Sequence, residues 1–297
     1  PYHYAYLKIA DGCSNHCTYC AIPSIRGKYR SEKMQDLLGE AKKLSDDGVK
    51  ELILVAQDVT RYGTDFDGKP HLIELLDKLS ELDFEWIRLL YLYPEMVDDT
   101  LIQYVKNNPK IAKYMDIPLQ HIDDQVLKRM NRRTDEKSIR ELISKLKNAG
   151  IAVRTTFICG FPGETQEQFE KLEKFVKEVK FDYAGFFAYS REDGTPADKL
   201  DGHIDESVKE ARAKKLAAVQ ERIIKTHNKE LIGKQVKVIY DDIDYDKQTF
   251  VGRTQTQAPD IDNVTLFSAD EEVKIGEFYT VEITGADGID LVGKVIE

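Results

Sequence analysis

The chain has 297 residues, of which 32% are charged, and a formal net charge of −10. A mean hydropathy of −0.46 and the lack of any apolar run of bilayer-spanning length exclude a chain built of transmembrane helices, and the acid excess excludes a general nucleic-acid coat, which needs clustered Lys and Arg against phosphates. Four cysteines in this length, with no secretory signal segment, fit reduced thiols and a cytoplasmic location better than a disulfide framework.

Short β-rich apolar runs alternate with amphipathic segments, the pattern of repeated βα units. Strands are expected at Tyr4–Ala10, Glu51–Ala56, Trp86–Tyr91, Tyr114–Pro118, Ala152–Cys159 and Asp182–Tyr189. Helices are expected at Lys33–Asp46, His71–Leu82, Asp98–Asn107, Glu136–Asn148 and Gln166–Lys177, with Ser31 and Thr165 as N-caps and Gly48 and Gly150 as stops. Six parallel strands are about two fewer than a closed (β/α)₈ barrel needs, and their C-terminal ends are where ligands bind in such sheets. Asp205–Leu231 reads as one long helix.

After Gly233 the texture changes to glycine-punctuated strands: Gln235–Tyr240, Gln248–Thr254, Asn263–Phe267, Glu277–Thr284 and Gly288–Ile296. A five-stranded OB-like barrel is the natural arrangement, the alternative being an α+β decoration of the main domain. The expected division is therefore 1–231 and 232–297. Residues 232–297 hold fourteen Asp plus Glu against six Lys plus Arg, a net of −8, so residues 1–231 carry only −2.

Cys13, Cys17 and Cys20 lie just after the first strand in the run G-C-S-N-H-C-T-Y-C. A four-iron four-sulfur cluster usually takes four thiolates, so a loop offering three leaves one iron open for a substrate or cofactor. The competing reading is a structural zinc ion closed by His16, His3 or His121, although zinc sites usually pair two distant ligand doublets. The fourth cysteine, Cys159, falls inside an apolar strand and reads as a small core hydrophobe.

The run C-S-N-H-C-T-Y-C-A-I-P-S-I-R-G resembles the cluster loop of radical S-adenosylmethionine enzymes, in particular the methylthiotransferases. The likeness continues through A-Q-D-V-T-R-Y-G, R-L-L-Y-L-Y-P, D-I-P-L-Q-H, T-T-F-I-C-G-F-P-G-E-T and Y-S-R-E-D-G-T-P-A. This resemblance implies an α/β fold, an open six-stranded (β/α)₆ partial TIM barrel of the radical SAM type, followed by a small all-β TRAM barrel. It implies that Cys13, Cys17 and Cys20 bind one four-iron four-sulfur cluster and that S-adenosylmethionine chelates the fourth iron and is cleaved to a 5′-deoxyadenosyl radical, chemistry that belongs to the cofactor.

By the same resemblance Tyr19 sits beside the adenine, and Gln57 and Asp58 meet the methionyl amine or the ribose. Asp58 serves equally as a loop cap. Gly160, Phe161 and Pro162, with Gly163 and Glu164, match the family's adenine-facing segment, although a strand-to-helix turn capped by Thr165 explains the same residues. Arg191 and Arg154 are candidates for the cofactor carboxylate, with surface ion pairs as the competing role. Gln120 and His121 close the fourth strand toward the substrate, the histidine more as a hydrogen-bonded supporting group. The basic stretches Arg26, Lys28, Arg30 and Lys128, Arg129, Arg132, Arg133 are solvated faces or steer an anionic partner.

Two branches of the family are relevant, one modifying an adenosine in tRNA and the other an aspartate in a small-subunit ribosomal protein, S twelve. An acidic barrel repels phosphates and suits a basic partner such as a ribosomal protein or the small ribosomal subunit. The block F-V-G-R-T-Q-T-Q-A-P-D-I-D and the segment I-P-S-I-R-G also resemble the ribosomal-protein branch. The implied reaction is methylthio insertion at the aspartate β-carbon, with an electron donor as a further partner and nucleic acid not the direct substrate. The family carries a second cluster in a preceding cysteine-rich domain. A chain that begins at Pro1 is expected to be a fragment or processed product that binds one cluster and cannot complete sulfur insertion alone.

Overall fold

The computed structural model describes residues 2–296. Six parallel strands lie side by side in chain order: β1 (Tyr4–Lys8), β2 (Glu51–Val55), β3 (Trp86–Leu89), β4 (Ile111–Asp116), β5 (Ala152–Cys159) and β6 (Tyr183–Ala188). The crossovers carry α1 (Met34–Asp46), α2 (Leu72–Ser80), α3 (Asp99–Asn107), α4 (Glu136–Asn148) and α5 (Gln166–Val179). This is the expected open (β/α)₆ arrangement. Strand β2 shows why such strands read as unbroken apolar runs: Leu52 and Leu54 face the helix layer, while Ile53 faces the hollow of the sheet, so both sides are dry.

Helices α3, α4 and α5 start where the sequence supplies a cap. Asp98, Asp135 and Thr165 each accept a backbone N–H, and the last two close full capping boxes, a contribution of about 1 kcal/mol per cap. Ser31 departs from expectation. It pairs with Ala10 in a two-stranded ribbon and donates its hydroxyl to Asp65 at 2.5 Å, while α1 begins beyond Lys33 without a side-chain cap. Strand β4 starts three residues before the expected Tyr114, because Lys113 hides its charge on the Val105 and Asn108 carbonyls (2.5 Å each) at the end of α3. That lysine interrupts the apolar pattern without interrupting the strand.

The long helix α6 (Glu206–Leu231) packs on α5 and β6 and leads into five strands: β7 (Gln235–Asp244), β8 (Thr249–Thr254), β9 (Thr265–Ser268), β10 (Phe278–Asp287) and β11 (Asp290–Val295). They close in the order β8-β9-β11-β10-β7, antiparallel except for the parallel β9–β11 pair. This is the OB-like barrel, with Val238, Tyr240, Phe267, Val281, Ile283 and Leu291 as its core.

The barrel docks into the hollow of the six-stranded sheet. Ala258, on the loop after β8, packs among Ile53, Leu90, Ala112, Tyr114 and Ala152. Fully buried Arg88 donates to Glu51 at 2.6 Å and to the Gln255 carbonyl at 2.8 Å. Arg253 of the barrel pairs with Glu51 at 2.8 Å and with Asp241 at 2.6 Å, and Asp241 in turn meets His3 at 2.8 Å. Arg154 joins Asp116 of the sheet at 3.1 Å to Asp262 of the barrel at 3.4 Å, and the Tyr114 hydroxyl donates to Asp262 at 2.6 Å. The block Phe250–Asp262 is thus largely an internal joint. Its own Arg253 and Asp262, with Asp241 from the preceding strand, are spent on this contact.

Candidate active site

The C-terminal ends of β1 to β4 surround a cavity of about 400 Å³ lined by Cys13, Cys17, Cys20, Gln57, Tyr91 and Gln120, among others. The cysteine loop enters at Gly12, whose φ of +76° and close approach to the Lys28 carbonyl leave no room for a Cβ. The loop is then pinned on both sides. Cys13 N–H donates to the Gly27 carbonyl at 3.1 Å, Thr18 N–H to the Met130 carbonyl at 3.1 Å, and the Asn131 side chain to the His16 carbonyl at 2.7 Å. Burial pushes the Cys13 and Cys20 thiols up, so a metal that takes them as thiolates must displace their protons.

Several expected residues meet at this cavity and several do not. Tyr19 lines it, with its ring edge-on to Phe161 at 6.5 Å. Gln57 and Gln120 line it with buried side-chain carbonyl oxygens that have no hydrogen-bond partner among the described residues. Gln120 and its neighbour across the cavity, Tyr91, both adopt left-handed backbone, φ 71° and 62°, a conformation costing on the order of 1–3 kcal/mol that clusters at functional sites.

Asp58 is fully buried behind the wall. It accepts from Asn15 of the cysteine loop at 3.3 Å, from Thr60 N–H at 3.1 Å and from Arg61 at 3.0 Å, which makes it a brace for the loop. Burial pushes its carboxyl up. Gly160, Phe161 and Pro162 are buried and sit behind the cavity lining, Phe161 in a cluster with Val126, Met130, Tyr189 and Ala197. Gly160 has φ +73°, a Cβ there would strike the Lys209 side chain, and its N–H donates to Glu164 at 2.9 Å. Glu164 also holds Arg212 of α6 at 2.7 Å and faces His121 at 3.4 Å.

Arg191 lies exposed and pairs with Asp198 at 2.5 Å, away from the cavity lining. Arg154 is committed to the barrel joint. His3 also lies at that joint, and His16 borders an adjoining recess with Cys17 and Cys20. Among the described residues, no three His, Cys, Asp or Glu side chains converge as ligands of one metal ion. Cys13, Cys17 and Cys20 share the walls of one cavity, and three thiols there would leave one iron of a four-iron cluster open. Cys159 is fully buried in β5 with its thiol pushed up to about 12 by burial.

Two residues have a place at the site that their sequence context did not assign them: Tyr93, and Arg132, which reads as part of a basic stretch. The Tyr93 hydroxyl lies 3.1 Å from the Cys17 sulfur. Arg132 stacks on the Tyr93 ring at 4.0 Å, points a guanidinium nitrogen at the same sulfur at 3.8 Å and donates to the Pro118 carbonyl at 2.8 Å.

Comparison with known proteins identifies the family. Residues 7–176 match the radical SAM superfamily model and residues 232–296 the TRAM domain model. The chain is 49% identical over 296 residues, 99% of its length and 67% of the relative's, to the ribosomal protein uS12 methylthiotransferase RimO of Thermoanaerobacter sp.. It is 47% identical over 297 residues, 99% of its length and 68% of the relative's, to the protein of the same name from Elusimicrobium minutum. The chain belongs to the radical SAM superfamily, in its RimO methylthiotransferase family. It spans about two thirds of the length of these RimO relatives. Among solved structures, the coproporphyrinogen III oxidase HemN of Escherichia coli, a radical SAM enzyme, superposes with a TM-score of 0.56 at 14% identity, covering 85% of this chain and 65% of that one. The methyltransferase TsrM of Kitasatospora setae gives 0.55 at 16% identity, covering 65% and 38%. At such identities the likeness is one of fold.

Proposed function

We propose that this chain performs the radical S-adenosylmethionine chemistry of methylthio transfer to the β-carbon of an aspartate in ribosomal protein uS12. The observation that carries the reading is the cavity at the strand ends, where Cys13, Cys17 and Cys20 meet two unpartnered amide oxygens, in a chain nearly half identical to RimO proteins. The three cysteines would hold one four-iron four-sulfur cluster. When bound, that cluster supplies the electron that cleaves S-adenosylmethionine to the 5′-deoxyadenosyl radical.

The protein's part is to bind and orient. Gln57 and Gln120 offer acceptors for the N–H groups of the methionyl amine, which relieves two buried oxygens that otherwise lack a donor. Tyr19, backed by Phe161, presents an aromatic surface at the cavity wall for the adenine. Glu164, by holding Gly160 N–H and Arg212, fixes the loop behind that wall. The barrel presents the charge for the partner: without Asp241, Asp262 and Arg253, residues 232–297 still carry twelve acids against five bases. Such a surface favours encounter with a basic ribosomal protein over a phosphate backbone. An electron donor completes the partners. Among the described residues, no helix is long and apolar enough to cross a membrane.

Anaerobic reconstitution tests the core of this reading. About four irons per chain and 5′-deoxyadenosine on reduction with S-adenosylmethionine are expected, one cluster of the type described above; a reduced, iron-loaded protein that makes none defeats it. Mass spectrometry of uS12 and of tRNA from a strain lacking the gene then separates the ribosomal substrate from a tRNA adenosine.

A further inference from the structure

Arg132 is buried to 6% exposure. A buried guanidinium without a counter-charge is costly. Among the described residues, no carboxylate reaches ion-pairing distance of Arg132. Glu95 contributes only from further away and accepts instead from the Arg133 N–H at 3.2 Å. What the guanidinium does face is sulfur, at 3.8 Å from Cys17.

The placement is built rather than incidental. Asn131, immediately before it, takes the left-handed backbone with φ 56° and ties down the His16 carbonyl beside Cys17. The Pro118 carbonyl holds one guanidinium nitrogen, and the Tyr93 ring carries its face at 4.0 Å. Tyr93 also brings its hydroxyl to the same sulfur. The other cysteines differ. Cys13 accepts the backbone N–H of Asn15 at 3.4 Å, and Cys20 has the backbone of Ile22 beside it. One sulfur of the three therefore receives a positive charge and a side-chain hydroxyl.

Resting on the cluster assignment above, we propose that Arg132 and Tyr93 set the reduction potential of the cluster by acting on Cys17. Three thiolates on a four-iron cluster make an anionic centre whose negative charge grows by one when it accepts an electron. A fixed cation and a hydrogen-bond donor at a ligating sulfur stabilise the reduced state more than the oxidised one, and hydrogen bonds to sulfur are among the levers that set such potentials. In turn, the anionic centre is the counter-charge that Arg132 otherwise lacks. Both residues are positioning and tuning groups; neither contacts a transferred atom.

The experiment is an anaerobic redox titration of the reconstituted protein, followed by EPR of the reduced cluster, with iron counted in every sample. Wild type binding about four irons and giving a reducible signal establishes the centre itself, so its failure would count against the cluster assignment and not against the tuning. Arg132→Gln and Tyr93→Phe are expected to keep their iron and to titrate at more negative potentials than wild type, with Arg132→Lys between Arg132→Gln and wild type. An Arg132→Gln protein with full iron and an unchanged midpoint overturns the proposal. Should Arg132→Gln fail to retain iron, Tyr93→Phe decides: a shift to more negative potential supports the proposal, and an unchanged midpoint overturns it. A merely structural role would lower thermal stability without moving the midpoint of the iron-loaded fraction.

Discussion

In the hollow of the sheet, where the barrel docks, Arg88, Arg154 and Arg253 each face a carboxylate at 2.6 to 3.4 Å. At the C-terminal strand ends Arg132 is also buried but faces a thiol, two glutamine oxygens have no donor, and two non-glycine residues hold left-handed backbone. The same sheet thus carries a region where buried charges are matched within the chain and another where the polar groups wait for something from outside it. Matched charge is what a permanent joint requires. Unmatched polarity beside three thiols is what a site for a charged cofactor requires, and it is tolerated because the joint and the core hold the strands in place.

Mutations should separate the two regions. The largest effect is expected from Cys17→Ala, which should abolish 5′-deoxyadenosine formation and lower bound iron, while the thermal midpoint of the metal-free protein moves little; a variant with normal iron and product would break the assignment. Next comes Arg253→Met. It removes the cation shared by Glu51 and Asp241, leaving Glu51 to Arg88 and Asp241 to His3, and should lower stability by about 3 kcal/mol, the low end for a broken buried pair, read by denaturant unfolding, yet leave iron content per folded chain unchanged. Loss of iron in that variant would mean that joint and site are not separable. Gly160→Ala, forced into left-handed backbone and against Lys209, should cost on the order of 1–3 kcal/mol by the same measurement.

The joint also has a pH signature. Burial raises the Glu51 carboxyl, but Arg88 and Arg253 together outweigh it and leave the group below its ordinary 4.5. Its stabilising contribution is therefore present above that value and fades as pH falls through the lower folded value. The buried carboxyls of Asp116 and Asp262 are pushed up mainly by burial, so their linkage runs the other way. Melting temperatures followed from pH 7 down to about pH 3 should fall more steeply in wild type than in Glu51→Gln; parallel curves would remove Glu51 from the acid response.

How much of this was legible in the sequence follows from how local each signal is. The cysteine spacing is local, and so is the alternation of apolar runs and capped helices, so the loop, the six strands and the five-stranded barrel could be read. Arg132 could not. It stands in K-R-M-N-R-R, which reads as a solvated basic face, and its neighbours Lys128 and Arg133 are indeed exposed. Only the left-handed turn at Asn131 rotates one arginine of the run inward beneath Cys17. Tyr93 lies in an aromatic stretch where spacing does not say which ring meets the sulfur. The charge count of the barrel was readable, but not that Asp241 and Asp262 face inward, because the joint pairs residues some two hundred positions apart, such as Glu51 with Arg253. The short helix at Asp124–Arg129, capped by Asp123, was also hidden in that basic stretch.

The smallest expected effect is the most diagnostic of what the open region is for. In Gln57→Leu a buried oxygen without a donor is replaced by an apolar group of similar size, a change that is close to neutral or stabilising when nothing is bound. If Gln57 accepts from the methionyl amine, the same change should weaken S-adenosylmethionine binding by up to roughly tenfold, about 1.4 kcal/mol for one hydrogen bond. The measurements are calorimetric binding to the iron-loaded protein and thermal melting without cofactor. Weaker binding with an unchanged or raised melting temperature marks a group kept unsatisfied for its ligand. A lowered melting temperature with unchanged binding would move Gln57 to the structural side of the comparison and leave Gln120 as the acceptor to examine in the same way.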